Sequence, residues 1–232
     1  MQSRFVQSRF IRSGLIAPIF TRSVIAPPAV LTTVSFIAST TATAASITAP
    51  ASINAGDLLV MFDGAITNAG PVPTSVVPTG FTQILELNDG GSARNIWSYK
   101  IAVGNEDGTS ITGMDGANTD RKAILQFRGD APISSVTVQD IGSQITDGDP
   151  AAQVVNASGG VVPLIVFAGY RATANITARD FTPAEDAEIF TAPNQGFVKY
   201  KIYNSSPADV TGDMPDSSSN DNALTSFYLE LT

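Results

Sequence analysis

The chain of 232 residues contains no cysteine and no histidine. Without cysteine there is neither a disulfide framework nor a thiolate metal site. Without histidine the chain lacks the commonest zinc ligand, the commonest general base and every catalytic arrangement that pairs serine or cysteine with histidine. These two absences exclude several large classes of enzyme before any motif is considered.

Acidic residues are missing from the first 56 positions, which carry four arginines and a charge of +4. The other nine basic residues stand against 21 acidic ones, so the remainder of the chain has a net charge of −12. A basic arm therefore precedes an acidic body. Because phosphate binding requires clustered lysine and arginine, we expect the body to repel nucleic acid and predict no nucleic-acid partner.

The chain also lacks an uninterrupted apolar run of about 18 residues, so no transmembrane helix and no membrane partner are predicted. Its hydrophobic content of 43% is nevertheless sufficient for a sizeable core. The length suits one large all-β domain or two small ones.

Residues 1–33 form a segment with internal repeats, in which QSRFV is followed by QSRFI and RSGLIAP returns as RSVIAP. Its large apolar residues recur every five positions, and five helical steps turn about 500°, which does not give one helical face. Three prolines favour an extended chain. We predict an arm that docks on another protein, with apolar anchors in a groove and arginines on carboxylates. The docking residues are Arg4, Phe5, Arg9, Phe10, Arg12, Leu15, Phe20 and Arg22.

Other interpretations of this segment remain open. An arginine- and serine-rich start without acids is typical of an organellar transit peptide, and a basic start followed by apolar residues is typical of a signal peptide. A tail without a partner is a further alternative, although its many large apolar residues would make it adhesive.

From Val34 onward, β-branched, aromatic and small residues alternate between Gly, Pro, Asn and Asp, which is an all-β pattern. GDLLVMFDG at 56–64 is apolar on both faces and predicts a strand buried on both sides. In NIWSYKIAV at 95–103, the alternation predicts that Trp97, Tyr99, Ile101 and Val103 face the core. In GFVKYKIYN at 196–204, Tyr203 falls on the opposite face to the core set and is expected to be exposed.

Five segments of this region recur in the same order about 100 residues later, which indicates a duplicated unit. The matched pairs are GDLLVMFDG at 56–64 with GVVPLIVFAG at 160–169, GFT at 80–82 with DFT at 180–182, NIWSYKIAV at 95–103 with GFVKYKIYN at 196–204, ITG at 111–113 with VTG at 210–212, and AILQF at 123–127 with ALTSF at 223–227. The pseudo-repeats span 34–130 and 136–231. Because only the short linker 130–135 separates them, we favour one β-sandwich over 34–232, made of two interleaved halves with pseudo-twofold symmetry, to two small ones.

The pieces AGDLLV, PTGF, YKIAVGNE and LQFRG occur in this order between residues 55 and 129. With their spacing they resemble a jelly-roll-like β-sandwich domain of bacteriophage virion proteins, in head and tail appendages, and of some secreted bacterial surface proteins. The resemblance covers about 34–231. It implies a display or adhesion module, for which a surface glycan is a plausible ligand, and it transfers no binding residue to a position of this chain.

Acidic residues, oxygen-rich loops and aromatic residues are the three patterns that could form a catalytic, ion-binding or sugar-binding site. A carboxylate pair could hydrolyse glycosides without histidine. Most candidate acids, however, sit beside glycine or in apparent turns, where we expect them to be solvated. These acids are Asp57, Asp63, Glu86, Asp89, Glu106, Asp115 and Asp120. Calcium would suit the oxygen-rich loops at 146–150 and 209–221. The aromatic pool for a sugar platform is Trp97, Tyr99, Tyr170, Tyr200, Tyr203 and Tyr228. None of these patterns predicts a catalytic residue, a cofactor or a metal ligand.

The sequence therefore favours a non-enzymatic structural protein of the virion, assembled in the host cytoplasm. We expect a capsid decoration or head-fibre protein that binds other virion proteins through its arm and forms a homo-oligomer. A tail receptor-binding or lectin-like adhesin module is the alternative, and a secreted carbohydrate-active enzyme is a third.

Overall fold

The prediction of an all-β sandwich is confirmed by the structure, a computed structural model. It describes residues 29–66, 74, 76–88, 93–113, 120–146, 150–172, 176, 180–189, 196–214 and 222–232. The strands are β1 (Val34–Ala42), β2 (Ser46–Thr48), β3 (Leu58–Ile66), β4 (Thr82–Asn88), β5 (Ala93–Ile101), β6 (Ser110–Thr112), β7 (Asp120–Gly129), β8 (Val136–Thr146), β9 (Gln153–Val155), β10 (Leu164–Ala172), β11 (Asp180–Thr182), β12 (Ala187–Ile189), β13 (Gly196–Tyr203), β14 (Val210–Asp213) and β15 (Asn222–Leu231). A single 3₁₀ turn, Ala157–Gly159, is the one helical element among these residues.

Two five-stranded antiparallel sheets form the body, and each comes from one half of the chain. The first sheet has the order β1-β7-β3-β5-β4, and the second has the order β8-β15-β10-β13-β12. The two orders are identical when β1, β3, β4, β5 and β7 are matched in chain order with β8, β10, β12, β13 and β15. The halves therefore form one sandwich in which each half is a complete sheet, so the expectation that their strands interleave is wrong.

Individual residues do not correspond as the sequence matches predict. Phe62 pairs with Trp97 and Ala123, whereas Phe167 pairs with Tyr200 and Phe227. If the matched segments had kept their register, Phe167 would pair with Val198 and Ala223. It pairs with Tyr200 and Phe227 instead, so β13 and β15 are shifted by two and four residues relative to the sequence matches. An even shift leaves every side chain on its original face, whereas an odd one would turn apolar residues outward.

The main core lies between the two sheets and is rich in aromatic rings. Trp97 is fully buried, with its ring centroid 4.9 Å from Phe62 and 4.9 Å from Phe227. A Cβ on Gly169 would come within 2.5 Å of the indole, so glycine makes room for it. The indole N–H donates to Thr225 Oγ1 at 2.9 Å. One large side chain of the first sheet is thus seated against the second.

Each sheet is covered on its outer face by a smaller layer. The first cap pairs β2 with β6, and the second cap has the order β11-β14-β9. Ile47 and Ile53 of the first cap region pack on Leu59 and Met61, while Val155, Phe181 and Val210 cover β10. The predicted two-sided burial is therefore confirmed: Leu58–Phe62 are at most 1% exposed, and all nine residues of β10 are buried.

Two predictions about side-chain faces are wrong. Trp97, Tyr99 and Ile101 do face the core, but Val103 lies beyond the end of β5 and is 66% exposed. Tyr203 is only 8% exposed because it packs under the second cap. The alternation of β13 placed it correctly on the outer face, which a second layer covers.

Candidate functional site at the root of the arm

All eight predicted docking residues, Arg4, Phe5, Arg9, Phe10, Arg12, Leu15, Phe20 and Arg22, lie outside the described residues, which begin at position 29. The structure does describe the last part of the predicted arm, where it joins the body. Val30 is 79% exposed, and the next residue, Leu31, is buried in the main core. We call residues 30–34 the root of the arm.

Asp130, in the linker between the halves, holds the root from one side. Its carboxylate accepts the backbone N–H groups of Thr32 at 3.0 Å and Thr33 at 3.1 Å, and also the Thr32 hydroxyl. Its own N–H donates to Thr33 O at 3.1 Å. These hydrogen bonds, led by the Thr32 hydroxyl, hold the pKa of Asp130 well below its usual value.

Asn204 holds the root from the second sheet. Its side-chain oxygen accepts the Val34 N–H at 2.8 Å, and its side-chain amide donates to Val34 O at 3.0 Å. Asn204 follows β13, 170 positions further along the chain. The first residue of β1 is thus tied to both halves of the sandwich.

The root, the linker and the last residue gather at one end of the sandwich, which we call the root end. Val34 pairs with Gly129, and Leu58 pairs with Phe127 and Ile101. In the second sheet, Val136 pairs with Leu231. Thr232 O accepts the N–H groups of Ser134 at 2.6 Å and Ser135 at 3.0 Å, which fixes this residue to the linker.

The far ends of the same strands define the opposite end, which we call the loop end. There Ala65 pairs with Asp120, and Asn222 pairs with both Ala172 and Thr146. Each strand is nine to eleven residues long in the central pairs, so the two ends lie roughly 30 Å apart at about 3.3 Å per residue. The segments 67–73, 89–92, 114–119, 147–149, 173–175, 177–179, 190–195 and 215–221, which connect strands, lie outside the described residues.

The acids that were expected in solvated turns include three that are buried, so this expectation is wrong for them. Asp57 is 1% exposed and receives a two-pronged contact from Arg128, with distances of 2.8 and 2.7 Å. Burial raises its pKa, but hydrogen bonds from Arg128, the Asn54 N–H and Gln126 outweigh burial and lower the pKa overall. This carboxylate braces the root end.

Asp63 and Lys122 form a second buried ion pair, 3.1 Å apart on neighbouring strands and at most 3% exposed. Such a pair costs desolvation and is strongly destabilising to break. Its position under the first cap, far from bulk water, suits a structural role.

Glu106 is the third buried acid. Its carboxylate accepts the N–H groups of Val103, Gly104 and Asn105 at 2.9 to 3.0 Å, and Lys100 lies 2.9 Å away. Burial by itself raises its pKa, but these donors lower the pKa to about 2. A carboxylate that stays ionised with every lone pair occupied is unsuited to general acid catalysis.

The remaining candidates receive little support. Among the residues that the structure describes, no cluster of three or more acidic side chains could hold a metal ion. The calcium-suited segments are only partly covered: Asp209 accepts the Ser158 N–H at 2.9 Å, and Asp213 accepts the Met214 N–H at 2.8 Å, while 147–149 and 215–221 lie outside the described residues. Of the aromatic pool, Trp97, Tyr170, Tyr200, Tyr203 and Tyr228 are buried, and Tyr99 is partly so.

No sequence pattern indicates the root contacts. Asp130 and Asn204 lie 98 and 170 positions from the residues they bind, and no short motif encodes such pairs. Among the described residues there is also no helix with the length and apolar character that a membrane crossing requires.

In comparisons with known proteins, no protein-family model, no curated protein and no solved structure matches the chain.

Proposed function

We propose that this chain is a structural protein of a phage particle, most simply a capsid decoration or head-fibre protein. In this proposal residues 1–33 dock on another virion protein and the sandwich is displayed outward. The resemblance of residues 34–231 to virion sandwich domains suggests the class of protein, and the geometry of the root supports the mode of attachment.

The observation that carries the proposal is the separation of the two ends of the sandwich. The arm leaves at the root end, where Asp130 and Asn204 clamp it to both halves. The loop end, defined by the far ends of the same strands, lies roughly 30 Å away. A body held by its arm therefore points its opposite end away from the attachment surface, as a displayed protein requires.

Charge supports the same division of labour. The arm carries four arginines without an acid, and the body is strongly acidic. The arginines pair with carboxylates of the docking partner. Burial of each apolar anchor in the partner contributes about 1.5 to 3 kcal/mol to the free energy of binding. The acidic body repels neighbouring bodies and stays soluble. Symmetric copies follow from the repeated binding sites of a virion.

The ion pairs and hydrogen bonds of the three buried carboxylates support a non-enzymatic role. Asp57 and Asp63 are neutralised by Arg128 and Lys122, and Glu106 is saturated by its own loop and Lys100. These groups brace the sandwich, and all three carboxyl groups are buried.

The test is incorporation of the protein into phage particles. Deleting residues 2–28 leaves the root intact, so the sandwich should still fold while the copy number per purified particle, measured by quantitative mass spectrometry, falls at least about tenfold. A second variant with Arg4, Arg9, Arg12 and Arg22 changed to serine should show a salt-dependent partial loss.

The matched control is Val103→Ser, an exposed change on the body that should be incorporated normally. Circular dichroism of the purified deletion variant separates misfolding from failed docking. Full occupancy without the arm would refute arm docking, and absence of the wild-type chain from purified particles would refute the virion role itself.

A further inference from the structure

The two caps differ in one respect that opens a cavity on the first half. In the second cap, β14 is paired on both sides, with β9 through Val210–Gly212 and with β11 through Thr211–Asp213. In the first cap, β2 is the one described strand that pairs with β6. Residues 80–82, which match β11 in sequence, are not paired with β6. No described strand therefore fills in the first half the place that β11 fills in the second.

The open edge of β6 presents backbone groups to this space. Ala49 N–H bonds to Thr109 O and Gly113 N–H bonds to Ala45 O, both at 2.9 Å. Hydrogen-bonded and non-bonded pairs alternate along an antiparallel ladder, so Ser110 and Thr112 direct their N–H and C=O groups away from β2. These are donors and acceptors at the side where a third strand would lie.

A cavity of about 470 Å³ lies along this edge, within the size range of small-molecule sites. Its walls combine an apolar side with a rim of hydroxyl groups. The apolar side is Val76, Val77, Pro78, Phe81 and Ile111, and the hydroxyl rim is Thr79, Thr109, Ser110 and Thr112.

The Lys100–Glu106 ion pair, 2.9 Å apart, forms the charged part of the lining. Glu106 has its acceptor positions filled by three N–H groups and Lys100. The ammonium of Lys100 has three donors, of which Glu106 takes one. Gly80 borders the ammonium, and a Cβ at this position would lie 3.6 Å from Nζ, in van der Waals contact. Lys100 is thus a donor held in place by a saturated carboxylate.

We propose that this cavity binds one neutral sugar residue of a polysaccharide. A sugar ring offers an apolar C–H face for Phe81 and Ile111 and several hydroxyls for Lys100 and the edge of β6. Neutrality follows from charge, because the ion pair cancels locally and the surrounding body has a net charge of −12. An acidic sugar would be repelled.

An extended peptide is the competing occupant, since β11 fills the equivalent place in the second half. The open edge is short, however: β6 has three residues, and only two of them point outward. β11 is tethered to its site by the chain, whereas a free peptide would bear the full entropy of association for few hydrogen bonds. A compact, rigid ligand fits this edge better.

The inference adds a ligand to the proposed display role and does not depend on it, because it concerns the purified chain alone. The test is titration of the full-length protein with methyl glycosides of glucose, galactose, mannose, N-acetylglucosamine and N-acetylgalactosamine, and with glucuronate, followed by ¹H–¹⁵N chemical shifts. At least one neutral glycoside should give saturable shifts confined to Lys100 and residues 109–112. Glucuronate should give none.

Two variants locate the site. Ser110→Trp fills the cavity from an exposed position and should abolish binding, and Lys100→Met keeps the stem without the donor and should weaken binding about tenfold or more. Lys201→Met is the matched control, because Lys201 matches Lys100 in the sequence repeat and instead binds Asp186 and Ala184 O. It should leave binding unchanged.

No saturable shift with any neutral glycoside would overturn the proposal, as would binding that survives Ser110→Trp. A synthetic peptide with the sequence of residues 178–184, ARDFTPA, tests the competing occupant. If this peptide binds at β6 and the glycosides do not, strand addition replaces sugar binding as the role of the cavity. Unchanged thermal unfolding of the variants excludes loss of fold as the cause of lost binding.

Discussion

The two halves of the sandwich share one strand order but differ in what surrounds it. The five-stranded sheets have the same strand order, and in both the edge strand has an irregular position next to a phenylalanine. The bulge of β1 adjoins Phe127, and the bulge of β8 faces Phe227, its match in the sequence repeat. Among the described residues, two strands cover the first sheet and three cover the second. The halves thus share the strand order of the buried sheets and differ in register and in the layers that cover them.

The connection between a main strand and its cap shows the same contrast. In the first half, residues 102–109 close on themselves around the Glu106 carboxylate. In the second half, the chain after β13 reaches outward instead, and Asn204 binds the start of β1. Equivalent segments therefore serve local stability in one half and joining of the halves in the other.

The largest expected effect tests whether the halves share one core. Trp97→Ala should lower the free energy of unfolding by about 3–5 kcal/mol, because it empties a fully buried site between Phe62 and Phe227. Denaturant unfolding followed by far-ultraviolet circular dichroism and by backbone NMR signals from both sheets should show one transition, shifted for both. Separate unfolding of an unaffected second sheet would contradict a shared core.

The fit between Trp97 and Gly169 supplies a companion test. Gly169→Ala should destabilise the wild type because its Cβ meets the indole at 2.5 Å. Combining it with Trp97→Phe should recover part of that loss. The exposed change Val103→Ala is the control and should alter stability by less than about 0.5 kcal/mol.

An intermediate effect concerns the Glu106 loop of the first half and the loss of its contribution to stability in acid. The depressed pKa of Glu106, about 2, means that its contribution is present at neutral pH and is lost as pH falls from about 4.5 through about 2. Glu106→Gln should cost on the order of 2 to 3 kcal/mol at pH 7, and the difference from wild type should shrink through this range. Parallel stability curves of the two proteins down to pH 2 would contradict this account.

The smallest expected effect concerns the contact by which the second half holds the root. Asn204→Ala removes two hydrogen bonds to Val34 and should cost about 1 kcal/mol. Hydrogen exchange at the Val34 amide should become faster. Asn204→Asp keeps the acceptor for this amide and should retain most of the protection; equal exchange in all three proteins would show that Asn204 does not clamp the root.

Period-two patterns and recurring segments predicted the buried ladder well, because each reports which face of a strand is apolar. Trp97, Tyr99 and Ile101 were placed correctly on this basis. The same reasoning missed Tyr203, since alternation within one strand carries no information about a further layer above it. It also misjudged Asp57 and Glu106, whose neighbouring glycines suggest turns although their carboxylates are buried.

The register and the root could not be predicted for a different reason. Local similarity aligned Ala123 with Ala223, yet pairing depends on the length of every intervening connection and on packing against the opposite sheet, and the structure puts Phe227 beside Phe167 instead. The hydrogen bonds of Asp130 and Asn204 exist only once distant strands have met. The cavity beside β6 likewise lies along an edge with which no described strand pairs, and no residue pattern codes for that.

The clamp at the root has a mechanical consequence. Asp130 transmits a pulling force on residues 30–34 to the linker, and Asn204 transmits it to the second sheet, so only the remaining force loads β1. If the loop end is held, the remaining force runs along β1, whose hydrogen bonds to β7 lie across it at eight paired positions. These bonds are loaded in shear and share the tension, so the sandwich resists being peeled open one pair at a time.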